Sequence, residues 1–245
     1  MVVNDEASSM RHYWDDRARE NAVWYVDTSC DYADPNMARF WDTGAVVVRE
    51  ALGDAPLRPS GRRVAVEIGS GLGRVCQALV AEFDEVIGID VAPEMVTQAR
   101  HYVDDPRIRF EVGNGTDLAS IADASVDLVM TFTVFQHLPT RSLIDGYVRE
   151  AARVLRPGGV LAAQWNNLPH PLLWKLQGAR WRFERRVGLR PDERAAPQFL
   201  GLRVPADRVR VMCERAGLVP GGTKGEGTLF AWIWAEKPAS PSPAA

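Results

Sequence analysis

At 245 residues, with 46% hydrophobic and 25% charged side chains, the chain has the composition of a globular protein with a full core. Its longest apolar stretches, 230–235 and 158–165, fall well short of the ~18 residues that span a bilayer, which argues against a membrane protein. A formal net charge of −3 offers no general attraction to phosphate polymers, and the scattered Cys30, Cys76 and Cys213 supply neither a disulfide framework nor a CxxC metal site.

The opening residues, Met1-Val-Val-Asn-Asp-Glu-Ala, do not have the basic region and apolar run of a secretory signal, so the cytoplasm is the expected compartment. Residues 10–53 read as helical, with Tyr13, Trp14, Trp24, Tyr25, Phe40 and Trp41 set among acids and arginines; the pattern closes at the Pro/Gly-rich segment 54–61. Residues 1–60 are thus expected to form an N-terminal helical arm, and 61–237 the main domain. Within it, a β-branched run at 64–68 leads through glycines into a helix at 75–82. The alternation continues with strand 85–89, helix 93–102, strands 108–112 and 126–131, helix 142–155, a turn at 156–159 and strand 160–165. Repeated βα units predict an open α/β sandwich, a mainly parallel sheet with helices on both faces. Residues 166–202 break the rhythm and read as a cap inserted after the fifth strand. Helix 205–216 and a closing strand at 228–235 follow, and the Pro/Ser/Ala tail 238–245 is expected to be disordered.

The segment Glu67-Ile-Gly69-Ser70-Gly71-Leu-Gly73-Arg74 lies between strand and helix, where glycines allow a tight turn and let a ligand approach the main chain. The dinucleotide fingerprint GxGxxG needs a small residue at position 74, and arginine stands there, so a nicotinamide cofactor is disfavoured. The segment resembles instead the first motif, ExGxGxG, of the class I S-adenosylmethionine-dependent methyltransferases. Three further segments match that family in order: Gly88-Ile-Asp90, Gly113-Asn114-Gly115-Thr-Asp117-Leu118, and Asp127 to Pro139 followed by Val154-Leu-Arg-Pro-Gly-Gly159 and a strand. The resemblance covers residues 64–165 and is nearest the ubiquinone-biosynthesis and small-molecule type.

What the resemblance implies is a Rossmann-like three-layer sandwich with a mainly parallel seven-stranded sheet, S-adenosyl-L-methionine as cofactor, and a small-molecule methyl acceptor as partner. It assigns Glu67, Gly69, Ser70, Gly71 and Gly73 to the cofactor turn, and Asp90, with Val91 and Met95, to the ribose. Asn114 and Gly115 go to the adenine, with Asn114 standing where the family has aspartate, and Phe132 and Thr133 to the end of the fourth strand. No HExxH, CxxC or paired-carboxylate cluster of ligand spacing accompanies these motifs, so no metal is expected. His137 follows the fourth strand near where the methyl group would point, and an ordinary imidazole titrates near neutrality, as a general base should; a helix-capping or core-edge histidine is the other reading. Tyr13, Trp14, Trp165 and His170 are the candidate acceptor wall, although aromatics of this kind, Trp24, Tyr25, Trp174 and Trp181 among them, also anchor arms and caps onto sheets. O-methylation is expected first and N-methylation next. C-methylation and a non-catalytic cofactor-binding protein are the alternatives, and the arm is expected to act as a lid.

Overall fold

The computed structural model describes residues 2–53, 55–168, 179–180, 183–184, 186–187 and 202–239. Helix α1 (Val2–Val26) is broken at Asn21, whose backbone leaves the helical region (φ −167°, ψ 80°) and whose Oδ1 accepts from Trp24 N–H as a new cap. The helical pattern read over 10–53 is therefore two helices. Between them, Asp27 accepts from Ser29 N–H and Asp31 from Ala33 and Asp34 N–H, local turns that compete with helix. Helix α2 (Met37–Val48) starts on the Asn36 side chain, which accepts from Arg39 N–H, and ends in a single π turn, Arg49–Gly53.

The rest alternates as expected: β1 (Val64–Ile68), α3 (Arg74–Leu79), β2 (Glu85–Asp90), α4 (Pro93–Tyr102), β3 (Ile108–Val112), β4 (Val126–Thr131), a 3₁₀ turn (Phe135–His137), α5 (Arg141–Val154), β5 (Leu155–Trp165), α6 (Ala206–Arg215), β6 (Val219–Lys224) and β7 (Ala231–Glu236). Two of these differ from the sequence reading. The Arg156-Pro-Gly-Gly159 segment is not a free turn but lies inside β5, where the pairing with β4 slips between Val126↔Leu155 and Leu128↔Val160. Strand β6, Val-Pro-Gly-Gly-Thr-Lys, went unread because proline and glycine hide any alternation.

The sheet runs β3-β2-β1-β4-β5-β7-β6, with β7 antiparallel to both neighbours and the other pairs parallel. Side chains alternate across it: Val66, Ile68 and Val129 join a core under α5 and α6, while Ala65, Leu128 and Met130 join one under α2, α3 and α4. The order changes direction about β1, and the strand ends there form the crevice in which α/β sheets bind ligands. The arm lies over that crevice. Arg11 Nη2 donates to Gly113 O (3.0 Å), Asp15 Oδ1 caps α4 by accepting from Glu94 N–H (2.8 Å), and Gln98 Nε2 donates to Ala18 O (3.1 Å). Among the described residues, no helix is long and apolar enough to cross a membrane.

Candidate functional site

A cleft open at its mouth lies at the ends of β1, β2 and β4 beneath α1. Its floor is the glycine turn. Gly69 and Ser70 N–H donate to Ile89 O (2.7 and 3.1 Å), folding the turn back on β2. Gly71 has φ +51°, and a Cβ there would stand 2.8 Å from Val26 Cγ2, so a side chain would meet both backbone strain and the arm.

Asp90 closes the far end of the turn. Its Oδ2 accepts from Gly71 N–H and its Oδ1 from Ala92 N–H, both at 2.9 Å, and each oxygen keeps a lone pair for hydroxyl donors. Burial pushes its pKa up, and these backbone donors pull against that shift. Glu67, on β1, is 3% exposed; burial pushes its pKa up to about 8, while Cys76 Sγ–H donates to its Oε2 (2.9 Å).

Of the residues expected at the cofactor, Glu67, Gly69, Ser70, Gly71, Asp90, Val91, Met95, Phe132 and Thr133 line this cleft; among those expected at the acceptor, Trp14 and His137 do. Thr133 holds a left-handed conformation (φ +57°), costly for a β-branched residue, and is kept there by a buried clamp: its N–H donates to Gln164 Oε1 (2.7 Å), and Gln164 Nε2 donates to Leu229 O (2.7 Å). The His137 ring meets Trp14 edge-on, with centroids 5.1 Å apart, and its Nε2 lies 3.2 Å from Gln136 Nε2.

Five other residues expected at the site are not among those that line the cleft. Gly73 does not line the cleft; its φ of +84° and the 2.5 Å between an added Cβ and Phe110 Cζ make it a constraint of the turn. The Asn114 side chain is turned into its own loop, Oδ1 accepting from Thr116 and Asp117 N–H, so the expected acceptor for an adenine amine is already engaged, and Gly113 lines the cleft in its place. Gly115 lies behind the lining, where an added Cβ would stand 3.1 Å from Met10 and from Val91, which do line the cleft. Tyr13 packs edge-on against Trp14 (5.2 Å) and beneath the Arg17 guanidinium (5.3 Å), one helical position away from the lining face. Trp165 is 1% exposed, and its Nε1 donates to Val204 O (2.9 Å), tying β5 to the segment that leads into α6. His170, Trp174 and Trp181 lie outside the described residues.

Trp165 as an anchor carries a measurable expectation. Trp165→Phe should lower stability by about 1–3 kcal/mol through the lost hydrogen bond and volume, with cofactor-product affinity changed less than about twofold. Chemical denaturation and calorimetry on one preparation separate the two, and a large loss of affinity at unchanged stability would return Trp165 to the ligand.

Sequence reasoning missed several lining residues: Met10 and Val26 from the arm, Leu138 and Tyr147 beyond β4, and Arg74; Tyr25, weighed as wall or anchor, lines the cleft too. The arm residues belong to a helix whose register against the domain no local pattern reveals. Arg74, by contrast, was visible as an arginine directly after the glycine turn. Among the described residues, no cluster of His, Cys, Asp and Glu could hold a metal ion.

Comparison with known proteins agrees with this geometry. Residues 66–163 match the family described as "Methyltransferase domain". The chain contains a class I S-adenosylmethionine-dependent methyltransferase domain. It is 31% identical over 130 residues to the ubiquinone biosynthesis O-methyltransferase of Xanthomonas axonopodis pv. citri (52% of this chain, 53% of that protein). It is 34% identical over 137 residues to the 27-O-demethylrifamycin SV methyltransferase of Amycolatopsis mediterranei (50% and 48%). The chain thus aligns with about half the length of these relatives. In fold it is similar to a SAM-dependent methyltransferase from Methanosarcina mazei (TM-score 0.61, 19% identity, covering 79% of this chain and 98% of that one).

The residues present fit the cofactor. Asp90 offers two acceptor oxygens, Glu67 and Arg74 set a buried acid and a buried base in the wall, and the buried Ser70 Oγ has no hydrogen-bond partner in the protein.

Proposed function

We propose that the protein transfers the methyl group of S-adenosylmethionine to an oxygen of a small-molecule acceptor, with nitrogen as the next candidate. The observation that carries this reading is the composition of one continuous cleft. Its hydrogen-bonding, charged wall (Asp90, Glu67, Arg74) runs into an aromatic and aliphatic wall (Trp14, Phe132, Val134, Leu138), with His137 on the latter. Two relatives that carry O-methyltransferase or demethyl-substrate names support the choice of oxygen.

The bound cofactor supplies a methyl group on a positively charged sulfur, which departs as a neutral thioether. The chain must supply position, dryness and a place for the acceptor's proton. Asp90 and the turn fix the nucleoside, the arm residues Met10, Trp14, Tyr25 and Val26 cover the cleft and exclude water, and the clamped Thr133 sets the wall beside the reacting groups. His137 takes the acceptor's hydroxyl proton as the oxygen–methyl bond forms. The arm is then a lid that must part for exchange, and α1, with its break at Asn21, is the moving element.

The test is transfer of radiolabelled methyl to a panel of phenols and aliphatic alcohols. With any acceptor found, His137→Ala should cut turnover by roughly 10²- to 10⁴-fold and remove the rise of rate with pH, while binding S-adenosylhomocysteine within about threefold of the parent. Equal turnover with the same pH profile would make the histidine a packing partner of Trp14.

A further inference from the structure

Phe230, in the segment that joins β6 to β7, is 49% exposed. A single apolar side chain at a surface is ordinary. This one is held in place. Gln164 Nε2 donates to Leu229 O (2.7 Å), Gly227 N–H to Asn167 Oδ1 (2.7 Å), Asn167 N–H to Thr228 O (3.0 Å) and Phe230 N–H to Thr228 Oγ1 (3.2 Å). Gln164 is also the side chain that clamps Thr133, so the segment carrying Phe230 and the cleft wall are fixed to each other.

Positions 230, 232 and 234 alternate along an extended chain, which puts their three rings on one face. Trp232 and Trp234 are buried and stacked (5.9 Å between centroids, 18° between planes), and Trp234 Nε1 donates to Ala51 O (2.8 Å). Against this row lies Phe132, just past the end of β4. It stacks on Trp232 (5.8 Å, 23°) and on Phe230 (6.0 Å, 10°). Phe132 lines the cleft, whereas Phe230 is not among the lining residues. A series of near-parallel rings therefore runs from the core to the surface and meets the cleft at Phe132. Trp14, Val134 and Leu138 continue that wall without a charge among them. A flat, neutral ligand gains stacking there that a puckered one does not.

We infer that Phe230 is a specificity-determining platform on which a flat acceptor of two or more fused aromatic rings stacks, its hydroxyl end entering the cleft past Phe132. The inference rests on the reading of the cleft as a site of methyl transfer to a small molecule and adds to it the class of acceptor. A ring already fixed by its neighbours loses little freedom when a second ring covers it, which favours such a contact.

The experiment is calorimetry on the full chain loaded with S-adenosylhomocysteine. Its two probes are 2-naphthol and the tetrahydro counterpart, in which the ring without the hydroxyl is saturated and puckered. The parent should bind 2-naphthol roughly 3- to 10-fold more tightly. Phe230→Leu, which keeps apolar bulk without a ring, and Phe230→Ala should bind the two probes equally, with affinity for S-adenosylhomocysteine within about twofold of the parent. Equal binding of both probes by the parent, binding of neither, or a preference that survives in either variant would overturn the assignment. So would a loss of S-adenosylhomocysteine affinity in both variants, which would make Phe230 a support of the cofactor cleft. A preference present in the parent and lost in the variants, with no methyl transferred to any hydroxyl acceptor, would uphold the platform and overturn the proposed reaction instead.

Discussion

Asp90→Ala is expected to weaken binding of S-adenosylhomocysteine by two to four orders of magnitude. Two hydrogen bonds from ribose hydroxyls to a carboxylate are each worth roughly 1.5–3 kcal/mol, and every ~1.4 kcal/mol is tenfold in affinity. The substitution also removes the acceptors of Gly71 and Ala92 N–H, so the turn that carries Gly71 loses the group that holds it. For that reason the larger end of the range is expected. Asp90→Asn keeps one acceptor oxygen but sets its NH2 against one of the two backbone N–H donors, so its affinity should fall between parent and alanine variant and its melting temperature below that of the parent. Calorimetry reads the affinities. A dissociation constant within about threefold of the parent for both variants would place the ribose elsewhere.

Glu67→Gln should change how stability depends on pH. In the unfolded chain this carboxyl titrates near its ordinary 4.5; in the folded protein burial pushes it up to about 8, so the native state holds a proton that the unfolded state releases. Between those values the native state binds more protons, and unfolding free energy therefore falls as pH rises from about 4.5 to about 8. Above about 8 both states are ionised, and the full cost of a buried carboxylate is present. Glutamine stands in for the protonated acid, can still accept from Cys76 Sγ–H, and has no proton to lose. The variant should match the parent near pH 5 and exceed it increasingly toward pH 8.5, by an amount on the order of a few kcal/mol. Urea denaturation of both proteins across that range isolates the effect, because every other titration cancels in the difference. Parallel stability profiles would show that Glu67 is already ionised in the folded protein.

Much of the fold was legible because parallel strands buried on both faces are written as short β-branched runs, and β1, β2, β3 and β4 stand within a residue of their expected bounds. The order of the glycine turn, the acid ending β2 and the histidine after β4 was also carried by local sequence. These features sit at strand ends, and a strand end in an α/β unit points to the same crevice whatever surrounds it.

Other features were decided only when distant segments met. Tyr13 and Trp14 are neighbours in sequence, yet on a helix adjacent residues point about 100° apart, so only packing could choose Trp14 to face the cleft and Tyr13 to face Arg17. Asn114 has the acceptor oxygen its position requires, but two backbone N–H groups of its own loop donate to it. Trp165 ends a strand at the correct edge, and the carbonyl of Val204, thirty-nine residues on, turns it into an anchor. Arg74 is the converse case. The sequence by itself showed an arginine where a dinucleotide turn needs a small residue, and so spoke against one cofactor. Only the tertiary structure brought Phe40, Thr43 and Phe132 around its guanidinium and set its charge in the cleft, because a side chain's partners depend on which remote elements fold against it.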